Sequence, residues 1–394
     1  MPAGSSDVPS SAPRYGFLDL YRGLFVLIML EGHAARELLS PAAKATDAFA
    51  LHELLHGLTG PGFFFGAGFT FTISTQRRWA QLLSSPTEFM KRVGRVLALI
   101  IIGYALHIPF LSLSKTLAQA TPTQITFLWS FGVLQCIGFS LLLLYFLLAV
   151  LRDETALIAG IVLALLAVVT ASPALWRWSL TAPLPRFVSA MFNTLSGSPF
   201  PIIPFSGFVL AGALTSWLFL RSTQWERTHR FMLGALFIGL LLIGTSVLTE
   251  LTGPEPFSSP IFWSVSQTYF WLRTGMLLLL LAALWAFEQR LHRYHAFWLP
   301  RWIVLVGIES FFVYIVHLVL LYGWASNPLF NIRSWFGNNL SVFSMLVVLA
   351  PLVLICIALA AVWHWFKKSH PILRKGIYVW FVFMLLWSFL MNPY

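Results

Sequence analysis

The fold is decided by residues 18–33, LDLYRGLFVLIMLEGH, a stretch apolar enough for lipid that also carries ionisable side chains. Those side chains are Asp19, Arg22, Glu31 and His33. An ionisable group inside a membrane helix is costly unless it pairs with another group or lines a polar cavity. The stretch therefore predicts a membrane helix that carries part of a functional site.

The composition places the whole chain in a membrane. Of its 394 residues, 58% are hydrophobic, 10% are charged and 17 are tryptophan. A soluble core cannot bury that much apolar surface, so the sequence predicts an all-α polytopic integral membrane protein. Residues 1–13 lack the charged and apolar regions of a signal peptide and are predicted to be a disordered tail, with residues 14–394 forming one transmembrane domain. Cys136 and Cys356 fall in apolar segments, which predicts buried helix residues rather than a disulfide or a metal site.

A spanning length of about 20 apolar residues predicts about eleven transmembrane helices. They cover residues 17–39, 57–76, 93–113, 126–150, 155–173, 200–220, 230–250, 264–287, 301–323, 341–364 and 376–392. Lys and Arg cluster in alternate loops, as at Arg77 and Lys367, and the positive-inside rule assigns those loops to the cytoplasm. The N-terminus is thus predicted to be cytoplasmic and the C-terminus external. The net charge of +11 then serves topology and contact with anionic membrane lipids, so no nucleic-acid partner is predicted.

Arg22 and His33 lie at different depths of the membrane on the predicted first helix. Arg22 lies near the cytoplasmic end, and His33 is eleven residues further along, roughly 16 Å at the helical rise. Asp19 and Arg22 are one turn apart and can pair, either as a clamp between helices or in contact with a substrate. His33 stands between Glu31 and Arg36, where a histidine is placed to titrate near neutral pH.

A second motif is His52-Glu53-Leu54-Leu55-His56, followed by Gly57. One hypothesis is the zinc-protease pattern, with both histidines as ligands and Glu53 as general base. No third ligand stands in a familiar spacing, and Gly57, Gly60 and Pro61 interrupt the helix directly afterwards. The other hypothesis is that the glycines allow close backbone approach while the histidines face a polar cavity.

These residues together resemble a known family. The segment 18–24 with His33, then His52 and Gly57-Leu58-Thr59, is similar to the catalytic domain of heparan-α-glucosaminide N-acetyltransferase and its bacterial relatives. The segments 132–135 (Gly-Val-Leu-Gln) and 204–208 (Pro-Phe-Ser-Gly-Phe) resemble further motifs of that family. Residues 307–317 are similar to a late helix of the wider superfamily of transmembrane acyltransferases.

The resemblance implies transfer of an acetyl or short acyl group from cytosolic acetyl-CoA, or another acyl-CoA, to an external acceptor. The acceptor would be an amine or hydroxyl of a glycan or a lipid-linked molecule, and the location a bacterial cytoplasmic (inner) membrane. His52 falls at the family's catalytic histidine, whereas His33 and His56 stand where the family has asparagine. The type-3 membrane acyltransferases instead share the spacing of Arg22 and His33, which gives His33 the catalytic role. His33 and His52 are therefore both candidates for the general base or the acyl carrier.

The predicted site therefore has two parts and no metal ion. The predicted catalytic residues are His52, His33, Glu31 and His56. The predicted substrate- or cofactor-binding residues are Asp19, Arg22, Thr59, Gly60, Arg273, Gln135, Glu309, His317 and Arg95. Arg273 is either a donor to the thioester carbonyl or a side chain reaching the interface, and Arg95 either binds CoA phosphates or sets topology. A multi-pass transporter is the main alternative function, and a homodimer is possible.

Overall fold

The computed structural model describes residues 15–181, 184–192, 194, 197–253, 265–293 and 301–392. The predicted tail, residues 1–13, lies outside the described residues. The helices in the described parts are α1 (Gly16–Leu38), α2 (Pro41–Lys44), α3 (Asp47–His56), α4 (Thr59–Gln76), α5 (Trp79–Ser84), α6 (Pro86–Ala105), α7 (Leu113–Gln119), α8 (Pro122–Leu128), α9 (Val133–Leu151), α10 (Glu154–Thr181), α11 (Arg186–Phe192), α12 (Ile202–Gln224), α13 (Thr228–Thr252), α14 (Gln267–Arg293), α15 (Arg301–Ile308), α16 (Ser310–Tyr322), α17 (Ile332–Phe336), α18 (Val342–Ser369) and α19 (Pro371–Met391). The all-helical prediction is confirmed for these residues.

Every one of the predicted spans contains a helix. Within the described ranges, 7 helices are long and apolar enough to cross a membrane, or up to 8 if a bent pair forms one span. Helices α1, α4 and α6 are not among them. Helix α1 carries Asp19, Arg22 and Glu31 among its apolar residues. The count of eleven and the orientation of the termini stay predictions.

The predicted helix 301–323 is wrong as a single straight element. It breaks at Glu309 into α15 and α16, which are bent by 84°. The Glu309 carboxylate is buried and paired with two side chains of α18: His364 Nδ1 at 2.7 Å and Lys367 Nζ at 2.5 Å. Glu309 stands at this break, directly before the helix that carries His317.

The predicted span 126–150 coincides with a candidate membrane span, Pro122–Leu151, which consists of two helices, α8 and α9. The chain leaves helical structure after Leu128, and α9 begins at Val133. Gln135 defines this start, since its Oε1 accepts from the backbone N–H of Gly132 at 3.2 Å. This bond satisfies one of the amide groups that a helix N-terminus leaves without a partner.

Helix α1 lies at the centre of the molecule because glycines let its neighbours approach. A Cβ at position 23 would lie 2.1 Å from the Ile303 carbonyl oxygen, and one at position 307 would lie 2.1 Å from that of Asp19. Helices α4 and α12 meet in the same way, with a Cβ at position 68 falling 1.8 Å from the Val209 carbonyl oxygen. Small residues at such crossings allow backbones of membrane helices to touch. Asp19 is buried among these helices, whereas Arg36 near the other end of α1 is exposed.

Candidate functional site

Two cavities lie along α1, one at each end. The first, of about 360 Å³, is lined by Arg22, Ser310 and mostly apolar side chains, and we call it the arginine cavity. The second, of about 690 Å³, is lined by His33, His56 and further polar and aromatic side chains, and we call it the histidine cavity. Four residues line both cavities: Phe63, Val133, Leu134 and Tyr314. The two cavities therefore adjoin at a shared wall between the level of Arg22 and that of His33.

Of the predicted site residues, those that line the histidine cavity are His33, His56, Thr59, Gly60 and Gln135. Arg22 lines the arginine cavity and donates from Nη2 to the Ser310 hydroxyl at 2.9 Å. Asp19 is buried beside it, with Oδ1 4.0 Å from Arg22 Nη1. Arg22 therefore lines one cavity, and His33 lines the other.

His33 is held by His317 of α16. His33 Nδ1 lies 3.0 Å from His317 Nε2, and His317 Nδ1 lies 3.1 Å from the Val313 carbonyl oxygen. A carbonyl only accepts, so His317 carries its proton on Nδ1 and presents a bare Nε2. That nitrogen accepts from His33 Nδ1–H, and the neutral His33 ring is left with a lone pair on Nε2. Among the described residues, no group bonds to that Nε2.

His56 reaches the histidine cavity by crossing α1 at Gly32. A Cβ at position 32 would lie 1.9 Å from Nδ1 of His56, so the ring rests on the glycine backbone. The His56 and His33 ring centroids are 6.2 Å apart, and Thr59 Oγ1 lies 3.4 Å from His56 Nδ1. Burial lowers the pKa of His56 to about 4, and the nearby Arg36 charge acts in the same direction. His56 is consequently a neutral ring at physiological pH.

His52 and Glu31 pair on another side of α1. His52 Nε2 lies 2.8 Å from Glu31 Oε2, and neither residue lines either cavity. Glu53 binds the Arg36 guanidinium through both carboxylate oxygens, at 2.9 and 3.0 Å from Nε. The catalytic role of His52 and Glu31 stays a prediction that these contacts do not test.

The zinc-protease hypothesis finds no support in these contacts. The rings of His52 and His56 are stacked, 5.8 Å apart with an interplanar angle of 2°, rather than converging on a point. The carboxylate of Glu53 is occupied by Arg36. Within the described ranges, no group of three or more His, Cys, Asp or Glu side chains is arranged to hold a metal ion.

The remaining predicted residues stand outside the cavity walls. Arg273 is 2% exposed, donates to the Leu54 carbonyl and lies over the Tyr269 ring, so it supports the turn between α3 and α4. Arg95 is exposed on α6, and Glu309 is the ion-paired residue at the break before α16. By contrast, Gln135 lines the histidine cavity, where it combines helix capping with a contact of 3.5 Å to His107 Nδ1.

Several cavity residues are not among the predicted site residues. They include His107, Tyr269, Tyr314, Tyr322, Trp324 and Arg333. Most are aromatic residues at helix ends, a pattern shared with side chains that merely sit at a membrane interface. A stronger signal was available for Tyr314, which precedes His317 by one helical turn and so shares its face.

The comparisons with known proteins identify a family for the first part of the chain. A protein-family model described as "Heparan-alpha-glucosaminide N-acetyltransferase, catalytic" matches residues 14–249, more than half of the chain. A search of curated proteins finds no match. The matched range includes Arg22, His33 and His56, and it ends before α16, which supplies Ser310 and His317. The chain belongs to the heparan-alpha-glucosaminide N-acetyltransferase catalytic-domain family, whose members are transmembrane acetyltransferases.

Proposed function

We propose that the protein transfers an acetyl or short acyl group from acyl-CoA to an amine or hydroxyl acceptor, with His33 as general base. The observation that carries the proposal is the histidine relay. Val313 and His317 together leave His33 with a lone pair on Nε2 at the wall of the larger cavity. A neutral imidazole with a fixed tautomer is the usual general base for acyl transfer.

The two cavities suit the two substrates. The acyl donor enters through the arginine cavity, where Arg22 offers a guanidinium beside an apolar wall suited to a long, thin pantetheine arm. The acceptor occupies the histidine cavity, whose wall combines Arg36, Arg333 and aromatic rings such as Tyr322 and Trp324. On the predicted topology, the donor comes from the cytoplasm and the acceptor, a glycan or lipid-linked molecule, from outside.

The reaction balances with one base. The acceptor nitrogen or oxygen attacks the thioester carbon, and its proton passes to His33 Nε2. The carbonyl oxygen carries the negative charge of the tetrahedral intermediate until the C–S bond breaks. CoA then leaves as a thiolate and takes the proton back from the His33 imidazolium. Holding both substrates at the shared wall of the cavities supplies the proximity that such a reaction needs.

The test is acyl transfer by the purified protein in detergent, followed as release of free CoA thiol with a panel of amino sugars, sugar alcohols and lipid-linked glycans. We expect acceptor-dependent release by the wild type and a loss of at least about 100-fold in His33→Ala, the scale of a lost general base. An inactive wild type across the panel, in the presence of measurable acetyl-CoA binding, would refute acyl transfer to these acceptor classes.

The same assay separates the two candidate histidines. If His33 is the base, His52→Ala should retain more activity than His33→Ala, because His52 binds Glu31 and lies outside both cavity walls. The family resemblance assigns the chemistry to His52 instead. A loss confined to His52→Ala would transfer the role of base from His33 to the His52–Glu31 pair.

A further inference from the structure

The thioester reaction needs a hydrogen-bond donor as well as a base. Negative charge develops on the carbonyl oxygen, and a fixed donor aimed at that oxygen is commonly the largest single catalytic contribution. Among the donors expected from the sequence, Arg273 is committed to the Leu54 carbonyl, and Thr59 faces His56. Neither is a free donor at the wall that the two cavities share.

Tyr314 is at that shared wall. It lines both cavities, together with the apolar side chains of Phe63, Val133 and Leu134. Its ring centroid lies 5.6 Å from that of His317, the residue that bonds to His33. The Tyr314 ring therefore lies beside the residue that holds the proposed base.

The Tyr314 hydroxyl has no competing acceptor. No hydrogen bond to it is formed by any part of the chain that the structure describes. A phenol O–H without a protein partner, surrounded by apolar side chains, can direct its full donor strength at a ligand. The low polarity of that wall strengthens a bond to a developing oxyanion more than water would.

We propose that Tyr314 is a catalytic residue, whose hydroxyl donates a hydrogen bond to the thioester carbonyl oxygen as it becomes an oxyanion. The inference rests on the proposed acyl transfer and adds the donor to it. The tyrosine keeps its proton throughout, so the proton balance between acceptor, His33 and the CoA thiolate is unchanged.

The test compares kcat and KM of the wild type, Tyr314→Phe and the control Tyr104→Phe, with saturating acetyl-CoA and the best acceptor. Tyr104 packs its ring against Phe131 and lines neither cavity. We expect kcat to fall by about 100-fold in Tyr314→Phe while KM for acetyl-CoA stays within about threefold, as for a lost oxyanion donor. Tyr104→Phe should retain wild-type kcat.

Two further readouts keep the inference open to refutation. Tyr314→Gln replaces the phenol O–H with an amide N–H donor on a shorter side chain. Its kcat should therefore lie between those of Tyr314→Phe and the wild type. Calorimetric binding of acetyl-CoA should be equal in all variants, since the bond forms in the transition state. Near-normal kcat in Tyr314→Phe, or a change in KM alone, would overturn the role of Tyr314 and leave acyl transfer standing. A wild type without transfer would overturn both.

Discussion

Removing His317 tests whether the relay controls the proposed base. The His317 ring makes one bond to His33, of 3.0 Å between Nδ1 and Nε2, and lies outside the family match. In His317→Ala the Nδ1–H of His33 loses its acceptor, so neither the tautomer nor the ring orientation is fixed. In His317→Gln the side-chain oxygen can take the place of Nε2 and accept the same proton.

The magnitude follows from the bond that is lost. Losing a net hydrogen-bond contribution of about 1 kcal/mol to one tautomer shifts the ratio of the two His33 tautomers by roughly fivefold. Loss of ring orientation adds to this, up to the range of about 10²–10⁴ that a general base supplies in total. We expect kcat of His317→Ala to fall between about tenfold and 100-fold, and that of His317→Gln to fall less than about fivefold.

The assay is thiol release at saturating acyl-CoA and acceptor, with thermal unfolding of each variant as a check on folding. His229→Ala is the matched control, because the His229 ring lies 6.0 Å from the Trp285 ring and the residue lines neither cavity. Equal kcat values for His317→Ala and His317→Gln would refute the relay, since the two variants differ in whether they can accept from His33.

Two further predictions concern packing. In Gly32→Ala the new Cβ would lie 1.9 Å from the His56 ring. We expect this clash to lower stability by about 1–3 kcal/mol, measured as a lower Tm, and to reduce acyl transfer strongly. An unchanged Tm would contradict the crossing of α3 over α1. In Glu309→Gln the buried charge that binds His364 and Lys367 is lost, and we expect about 2–4 kcal/mol of destabilisation. The control Glu154→Gln removes a charge from a more exposed cluster and should cost less than about 1 kcal/mol. Equal effects of the two substitutions would argue against a buried ion pair at the break.

The helix positions could be predicted because they depend on local composition. Runs of about 20 apolar residues mark membrane helices wherever they occur, and most of those boundaries agree with the structure within a few residues. The break before α16 depends instead on a partner far along the chain. Glu309 binds Lys367, 58 residues later, and no pattern in the sequence around residue 309 predicts that ion pair.

The candidate site was predicted in part for the same reason. The charges of α1 could be recognised because ionisable groups are out of place in an apolar helix. The relay could not be derived, since His33 and His317 are separated by 284 residues and meet only through packing. The i, i+4 spacing of His52 and His56 gives their stacking, but not that His56 faces the cavity while His52 faces Glu31.

Helix α16 explains how two cavities can serve one reaction. Ser310, Tyr314 and His317 follow one another at intervals of four and three residues, so they lie along one face of the helix. Ser310 accepts from Arg22 in the arginine cavity, Tyr314 lines both cavities, and His317 orients His33 at the wall of the histidine cavity. Because a single face of one rigid helix contacts the donor side, the shared wall and the base, the separation between these three levels is fixed. On the proposed mechanism, the chemistry therefore depends on a helix that lies outside the matched range, residues 14–249.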